Sequence, residues 1–322
     1  MENRNISFDI LRISACIGVI TIHTVGSPII HHMVSPSTYE YNFCLIMDAM
    51  CRWSVPVFAM ITGFFMLDSS KELSIKVLFE KYIFRLFFAL FFWSLFYSVT
   101  LNRPLYPLGS QEGHFWYLGM CIGLYMAMPI MRLIANNTKT LAYFCWIWLT
   151  IEVYQFVGNF VTLPINFRDV IFVDYVGYCL FAYYLKTLKL NDWTKSIIYI
   201  AGLLCALITI AIGLITQNDD TVFYFYTSPN VIITSIALFL FVLNHPIKLT
   251  ETISSIIVST SQCTFGIYLM HLWILIQIFF RLHRVISNAL ILCPLCVIVV
   301  FIFGFGISLF IRKIPYFKKY IV

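Results

Sequence analysis

The chain has 322 residues, 61% of them apolar and only 11% charged, with a mean hydropathy of +0.87, whereas a water-soluble domain carries roughly a quarter charged residues. Its 21 Lys+Arg and 15 Asp+Glu are too few to clothe a compact globule of this size in water, so lipid has to cover part of the surface. The net charge of +6 does not point to nucleic acid, because the basic residues sit in short connectors between apolar runs and form no aromatic-interleaved patch.

Apolar runs of the ~20 residues needed to cross a bilayer recur along the whole length. They predict an all-α integral membrane protein, a bundle of about ten transmembrane helices near 8–28, 42–67, 78–100, 115–135, 140–158, 170–186, 194–216, 226–244, 260–280 and 288–311. The first run resembles a signal peptide, but it contains Asp9 and Arg12, lacks a convincing cleavage site and precedes nine more spans, so it is read as retained. With the N-terminus in the cytoplasm, only Arg103, Arg168, Arg281 and Arg284 fall on the far side, Arg12 and Arg52 lie within spans, and every other Lys or Arg marks a cytoplasmic end. The positive-inside rule therefore favours both termini in the cytoplasm. The expected organisation is one membrane domain over 1–322 with no appended soluble domain. The ten cysteines lie mostly within apolar segments and suggest no disulfide framework, and the CxxC spacing of Cys293 and Cys296 has no second ligand pair beside it, so no metal is expected.

An ionisable group inside a span is costly unless it faces protein or water, which makes each one a functional candidate. In the first span Asp9 and Arg12 are three residues apart and share a face. His23 lies eleven residues beyond Arg12, three helical turns, and so falls on the same stripe about 16 Å away. An interfacial ion pair plus a packing histidine would give the same spacing. The second span carries Asp48 and Arg52 at i,i+4, which could simply neutralise each other. Pro56 is expected to bend this span and free a carbonyl, and Gly63 to admit another helix closely.

The fourth span opens with His114, Trp116 and Tyr117 near the non-cytoplasmic interface, where aromatics commonly form a belt. Within it, Gly119 and Gly123 suggest a small-xxx-small packing face. Glu152, midway along the fifth span, is either protonated, paired across the bundle or facing a cavity. In the ninth span His271 either lines the same cavity as His23 or caps packing against Tyr268. The first, second, fourth and ninth spans are expected to converge on one polar cavity, since separate polar pockets would each carry a desolvation cost.

The chain has no P-loop, no dinucleotide-binding glycine pattern and no His-Glu-x-x-His helix. A histidine with an ordinary pKa near 6.5 can take a proton from a hydroxyl at neutral pH, which suits acyl transfer from an activated donor. Arginines suit the donor's phosphates, because guanidinium stays charged when partly buried and binds phosphate oxygens in a fork; Arg12 and Arg52 are the candidates.

Five blocks then stand out: FDILR with ten residues between Arg12 and His23, RWSVPVFAMITGF from Arg52, HFWYLGMCIGLYMAMPIMR from His114, YVGYCLFAYYL from Tyr175, and SQCTFGIYLMH ending at His271. In this order, across essentially the whole chain, they resemble the integral-membrane acyltransferase-3 family, bacterial enzymes that O-acylate surface polysaccharides and related envelope acceptors. The resemblance implies a location in the bacterial cytoplasmic (inner) membrane, with His23 as catalytic base and Arg12, with Asp9 beside it, in the acyl-coenzyme A and active-site network. It implies acyl-coenzyme A as co-substrate, with acetyl-coenzyme A the expected donor, Arg52 as a second donor contact, and Trp116, Tyr117, Tyr268 and His271 near the substrate or lining the cavity; the intramembrane positions of Asp48, His114 and Glu152 add them as candidates for the same lining. In size and motif wording the chain is similar to the short O-acetyltransferases that modify O-antigen or common antigen, so a lipid-linked or surface glycan is the expected acceptor, with membrane lipid as the other partner. A multi-span transporter or exporter of a polar envelope precursor uses similar intramembrane groups, but no inverted repeat is visible. A sensor or scaffold in which these groups only specify packing is the third reading.

Overall fold

The structure is a computed structural model that describes residues 4–68, 70, 72–105, 113–165 and 174–320. Lys71 and Arg168, both used in the topology argument, lie outside the described residues. Among the described residues the secondary structure is helical, with no strand, and nine helical stretches are long and apolar enough to cross a membrane. The chain is a multi-pass membrane protein. The sixth expected span, 170–186, has as its described part only α8 (Asp174–Thr187), a 14-residue helix.

Helix α1 (Ile6–Ile30) is the central element. It packs against α2 (Tyr39–Cys51), α3 (Ser54–Met66), α11 (Glu251–His283) and α12 (Ala289–Ile311). A helix covered on several sides can keep a polar stripe away from lipid, and Asp9 is almost fully buried there. Asn5 starts the helix by accepting the Ser7 backbone N–H on its side-chain oxygen.

The second span is two helices instead of one bent helix. The break falls at Arg52–Trp53, just ahead of Pro56. Pro56 has no N–H to return to the Arg52 carbonyl, and its ring is tolerated in the first turn of a new helix but not in a helix interior. Arg52 is thereby set at a joint. Beyond it Gly63 lies against the backbone of Cys179 in α8, where an added Cβ would stand 2.2 Å from the Cys179 carbonyl oxygen. The close helix approach expected of Gly63 is present. Gly119 and Gly123 differ: an added Cβ at either position meets nothing within 4 Å, so they form no packing face among the described residues.

The third span contains a π-helical stretch, Leu78–Ile83, between a short turn of α4 (Ile75–Val77) and α5 (Phe84–Leu101). The fourth starts with a 3-10 turn, Gly113–Phe115, leading into α6 (Trp116–Ala135). Helix α7 (Thr138–Val157) lies beside α6 and α8. Helices α9 (Asp192–Thr216) and α10 (Pro229–Asn244) pair along their lengths. A short helix α13 (Pro315–Tyr320) follows α12. All ten cysteines are free.

Candidate active site

The site begins at the N-terminal end of α1. Asp9 receives a two-pronged contact from Arg4, with Nε and Nη2 each 2.7 Å from a carboxylate oxygen. Arg12 touches the same carboxylate more loosely, at 3.3 Å through Nη1, and the same nitrogen donates to the Ser261 hydroxyl at 3.1 Å. Ser261 Oγ in turn donates to Asp9 Oδ1 at 2.6 Å. The expected Asp9–Arg12 pair exists, but Arg4, which the sequence marks only as a topological charge, is the stronger partner. Because both of these Arg12 bonds use Nη1, its Nε and Nη2 remain to meet a ligand.

Three turns further along α1, His23 opens into the same space as Arg12. A cavity of about 200 Å³ is lined by Arg12, Val19, Ile22 and His23 from α1, Val55 and Phe58 from α3, and His114, Trp116 and Tyr117 from the 3-10 turn and start of α6. Tyr226, ahead of α10, and Thr264, Phe265 and Tyr268 from α11 complete the wall. Trp116 stacks on Tyr226 with ring centres 6.0 Å apart, and Tyr117 meets Tyr268 edge-on at 5.3 Å. These aromatics stand on the cavity wall and not solely in an interfacial belt, although Trp116 keeps 38% of its surface exposed.

The His23 end holds three imidazoles. His23 and His271 have ring centres 5.1 Å apart, His114 and His271 5.0 Å, and His23 and His114 6.3 Å. The Tyr268 hydroxyl donates to the His114 carbonyl, and His271 Nδ1 lies 2.5 Å from the Tyr268 carbonyl oxygen. Nε2 of His271 is buried with no hydrogen-bond partner. Buried polar atoms are ordinarily satisfied, and exceptions concentrate where a ligand or water belongs. Among the described residues no group of three or more His, Cys, Asp or Glu side chains is placed to hold a metal ion.

Several expected site residues stand off the cavity. Asp9 lies behind Arg12 and acts on the cavity through it. His271 forms a layer behind His23 and His114. Asp48 and Arg52 bind each other, with Arg52 Nε 3.1 Å from Asp48 Oδ2, and Arg52 turns toward the Tyr224 carbonyl at 3.4 Å. Its guanidinium lies 5.0 Å from the Tyr224 ring centre and 5.9 Å from that of Tyr226, so Tyr226 stands between Arg52 and the cavity. Arg52 caps the end of α2 and keeps the i,i+4 pairing with Asp48 that its helix dictates. Glu152 is buried elsewhere and accepts the Trp148 indole N–H at 3.1 Å, bracing an indole that fills the space over Gly177 in α8. The first, second, fourth and ninth spans do converge on one cavity, but of the residues expected to mark it His23 and Trp116 line it, while Arg52 and His271 do not. The sequence gives neither Ser261, which opens the SQCTFGIYLMH block, nor Tyr226 a role of its own. A serine inside a helix usually satisfies its own hydroxyl on the preceding turn, and an aromatic in an apolar run carries no signal of its own.

Comparison with protein families matches the acyltransferase domain family over residues 5–311. The chain belongs to the acyltransferase-3 family. It is an integral-membrane acyltransferase, and the matched region contains every residue of the cavity wall. No curated protein and no solved structure gives a match.

Proposed function

We propose that this acyltransferase moves an acetyl group from acetyl-coenzyme A to a hydroxyl of a cell-envelope polysaccharide of the O-antigen or common-antigen type, with His23 as general base. The observation that carries this reading is that Arg12 and His23 open into one cavity from the same helix face. A fixed cation at one end suits the donor's phosphates, and a titratable imidazole at the other suits a reacting hydroxyl. At about 200 Å³ the cavity is smaller than the ~300–1,000 Å³ that encloses a drug-sized ligand. It suits the thioester tip and one hydroxyl, with the nucleotide outside, beyond Arg12.

In the proposed reaction a His23 ring nitrogen takes the hydroxyl proton as the acceptor oxygen attacks the thioester carbonyl carbon. The new C–O bond forms, the C–S bond breaks, and the departing thiolate of coenzyme A takes the proton back. The thioester is already activated, so no ATP is consumed. Both termini face the cytoplasm of a bacterial inner membrane in this reading, which brings Arg12 to the side where the donor is made and His23 toward the opposite leaflet. The supports are the distribution of Lys and Arg and the position of Arg12 near the start of α1.

The test is transfer of labelled acetyl from acetyl-coenzyme A to a lipid-linked glycan by the purified protein in lipid nanodiscs. Transfer that needs both components is expected. Passage of glycan across a sealed vesicle without acetylation would support the exporter reading instead.

A further inference from the structure

His271 is completely buried, and its Nδ1 lies 2.5 Å from the Tyr268 carbonyl oxygen. A carbonyl can only accept, so Nδ1 has to carry the proton, and in the neutral ring Nε2 is left with a lone pair. That nitrogen has no partner. It needs a donor, and two imidazoles stand beside it, His23 with its ring centre 5.1 Å away and His114 at 5.0 Å. Two imidazoles joined by one N–H···N bond stand about 5 Å apart centre to centre.

We infer that His271 is a positioning residue: its Nε2, unpartnered in this structure, accepts an N–H from His23 after a small turn of the neighbouring ring when substrate is bound, which fixes the His23 tautomer so that the other His23 nitrogen presents its lone pair to the cavity. The inference rests on His23 being the base. A neutral imidazole has one donor and one acceptor nitrogen, and only the acceptor can take a proton from a hydroxyl. Alone, His23 divides itself between two tautomers and two ring orientations. With one N–H held by His271, the base is the other nitrogen of His23, on a ring that lines the cavity with Arg12 and Tyr117. The chain of bonds runs from the Tyr268 carbonyl through His271 to His23. The same Tyr268 also holds the His114 carbonyl through its hydroxyl, so one residue of α11 sets the whole group.

Two substitutions separate this role from packing. His271→Gln keeps an acceptor near the position of Nε2 but loses the Nδ1 donor; His271→Asn keeps a donor near Nδ1 and loses the acceptor. The expected result is kcat within about threefold of wild type for His271→Gln and at least about tenfold lower for His271→Asn, with donor and acceptor KM unchanged in both. Equal losses in the two variants, or none in either, would overturn the inference. Nitrogen NMR of histidine-labelled protein in bilayers reads the tautomers without turnover: the His23 nitrogens should change in His271→Asn and stay as wild type in His271→Gln. A change confined to His114 would also overturn it. His23→Gln measured alongside keeps the two claims apart, because its full activity would remove the base itself, whereas an inactive His23→Gln beside fully active His271 variants would remove only the positioning role.

Discussion

Arg12 and His23 open into the same cavity from one helix, three turns apart, with aromatic side chains from α3, α6 and α11 closing the space between them. A guanidinium and an imidazole at the two ends of one lined space are the arrangement that a long, anionic acyl donor and a neutral hydroxyl both require. Asp9, Arg4 and Ser261 fix the Arg12 end, and Tyr268 with His271 and His114 fixes the other.

Arg12→Glu should weaken coenzyme A binding at least tenfold, because a carboxylate repels the donor's phosphates, and Arg12→Lys should lose part of the affinity by losing the two-pronged contact. Calorimetric titration of purified protein with coenzyme A checks this. Unchanged affinity in Arg12→Glu would place the phosphates on another basic group, such as Lys76 or Arg132.

Ser261→Ala removes the hydroxyl that donates to Asp9 and accepts from Arg12. A hydrogen bond to a charged group is worth roughly 1.5 kcal/mol or more, so the donor KM should rise about tenfold while kcat changes little. Steady-state kinetics at varied acetyl-coenzyme A separates the two. An equal fall in kcat with an unchanged KM would place Ser261 in the chemical step.

Gly63→Ala forces a methyl group into the Cys179 backbone, which cannot yield as a side chain would. A loss of about 1–3 kcal/mol is expected, read as a lower melting temperature in detergent. Gly123→Ala meets nothing and should be neutral or slightly stabilising, since alanine is the better helix former. Equal effects at the two positions would contradict the packing described for α3 and α8.

Asp68 accepts from Lys186 Nζ at 2.9 Å, and the Asp68 carbonyl accepts from Arg132 at 3.1 Å. The Lys186 hydrogen bond, helped by the Ser70 N–H, holds the Asp68 carboxyl well below the usual carboxylate range. A carboxyl lowered in the folded state adds stability above its unfolded value, about 3.9, and loses it as pH falls through the lower folded value. The melting temperature of wild type should therefore approach that of Asp68→Asn as pH drops below about 4. The difference at neutral pH should be small, because the pair is partly exposed to solvent and screened. A gap that stays constant across this range would contradict the pairing.

The legible parts of this protein are those governed by helical period or by composition. The span pattern follows from apolar length, and the shared face of Arg12 and His23 follows from three turns of 3.6 residues. Gly63 is readable because a residue without a Cβ inside an apolar span lets another backbone approach, as Cys179 does. Gly119 and Gly123 have the same one-turn spacing as a packing motif, yet sequence spacing does not say whether a neighbour is there. The i,i+4 spacing correctly pairs Asp48 with Arg52 on one face, but it does not say that this face meets Tyr224 and Tyr226 instead of the cavity. The contact of Ser261 with Arg12 and the stacking of His271 behind His23 depend on how α11 docks on α1, which no periodicity within one helix encodes, and Arg4 reaches Asp9 from ahead of the first helical turn, where the helical period does not apply.

His23→Gln tests the account most directly. Glutamine keeps hydrogen-bonding capacity at similar reach but cannot take the acceptor's proton, and a positioned base is worth roughly 100- to 10,000-fold in rate, whereas a hydrogen bond inside a membrane bundle averages only about 0.6 kcal/mol. Measured as acetyl transfer from acetyl-coenzyme A to a lipid-linked glycan, with the melting temperature confirming a folded protein, the variant should lose at least about 100-fold in rate. Transfer at the wild-type rate by folded His23→Gln would contradict the assignment of His23 as the base.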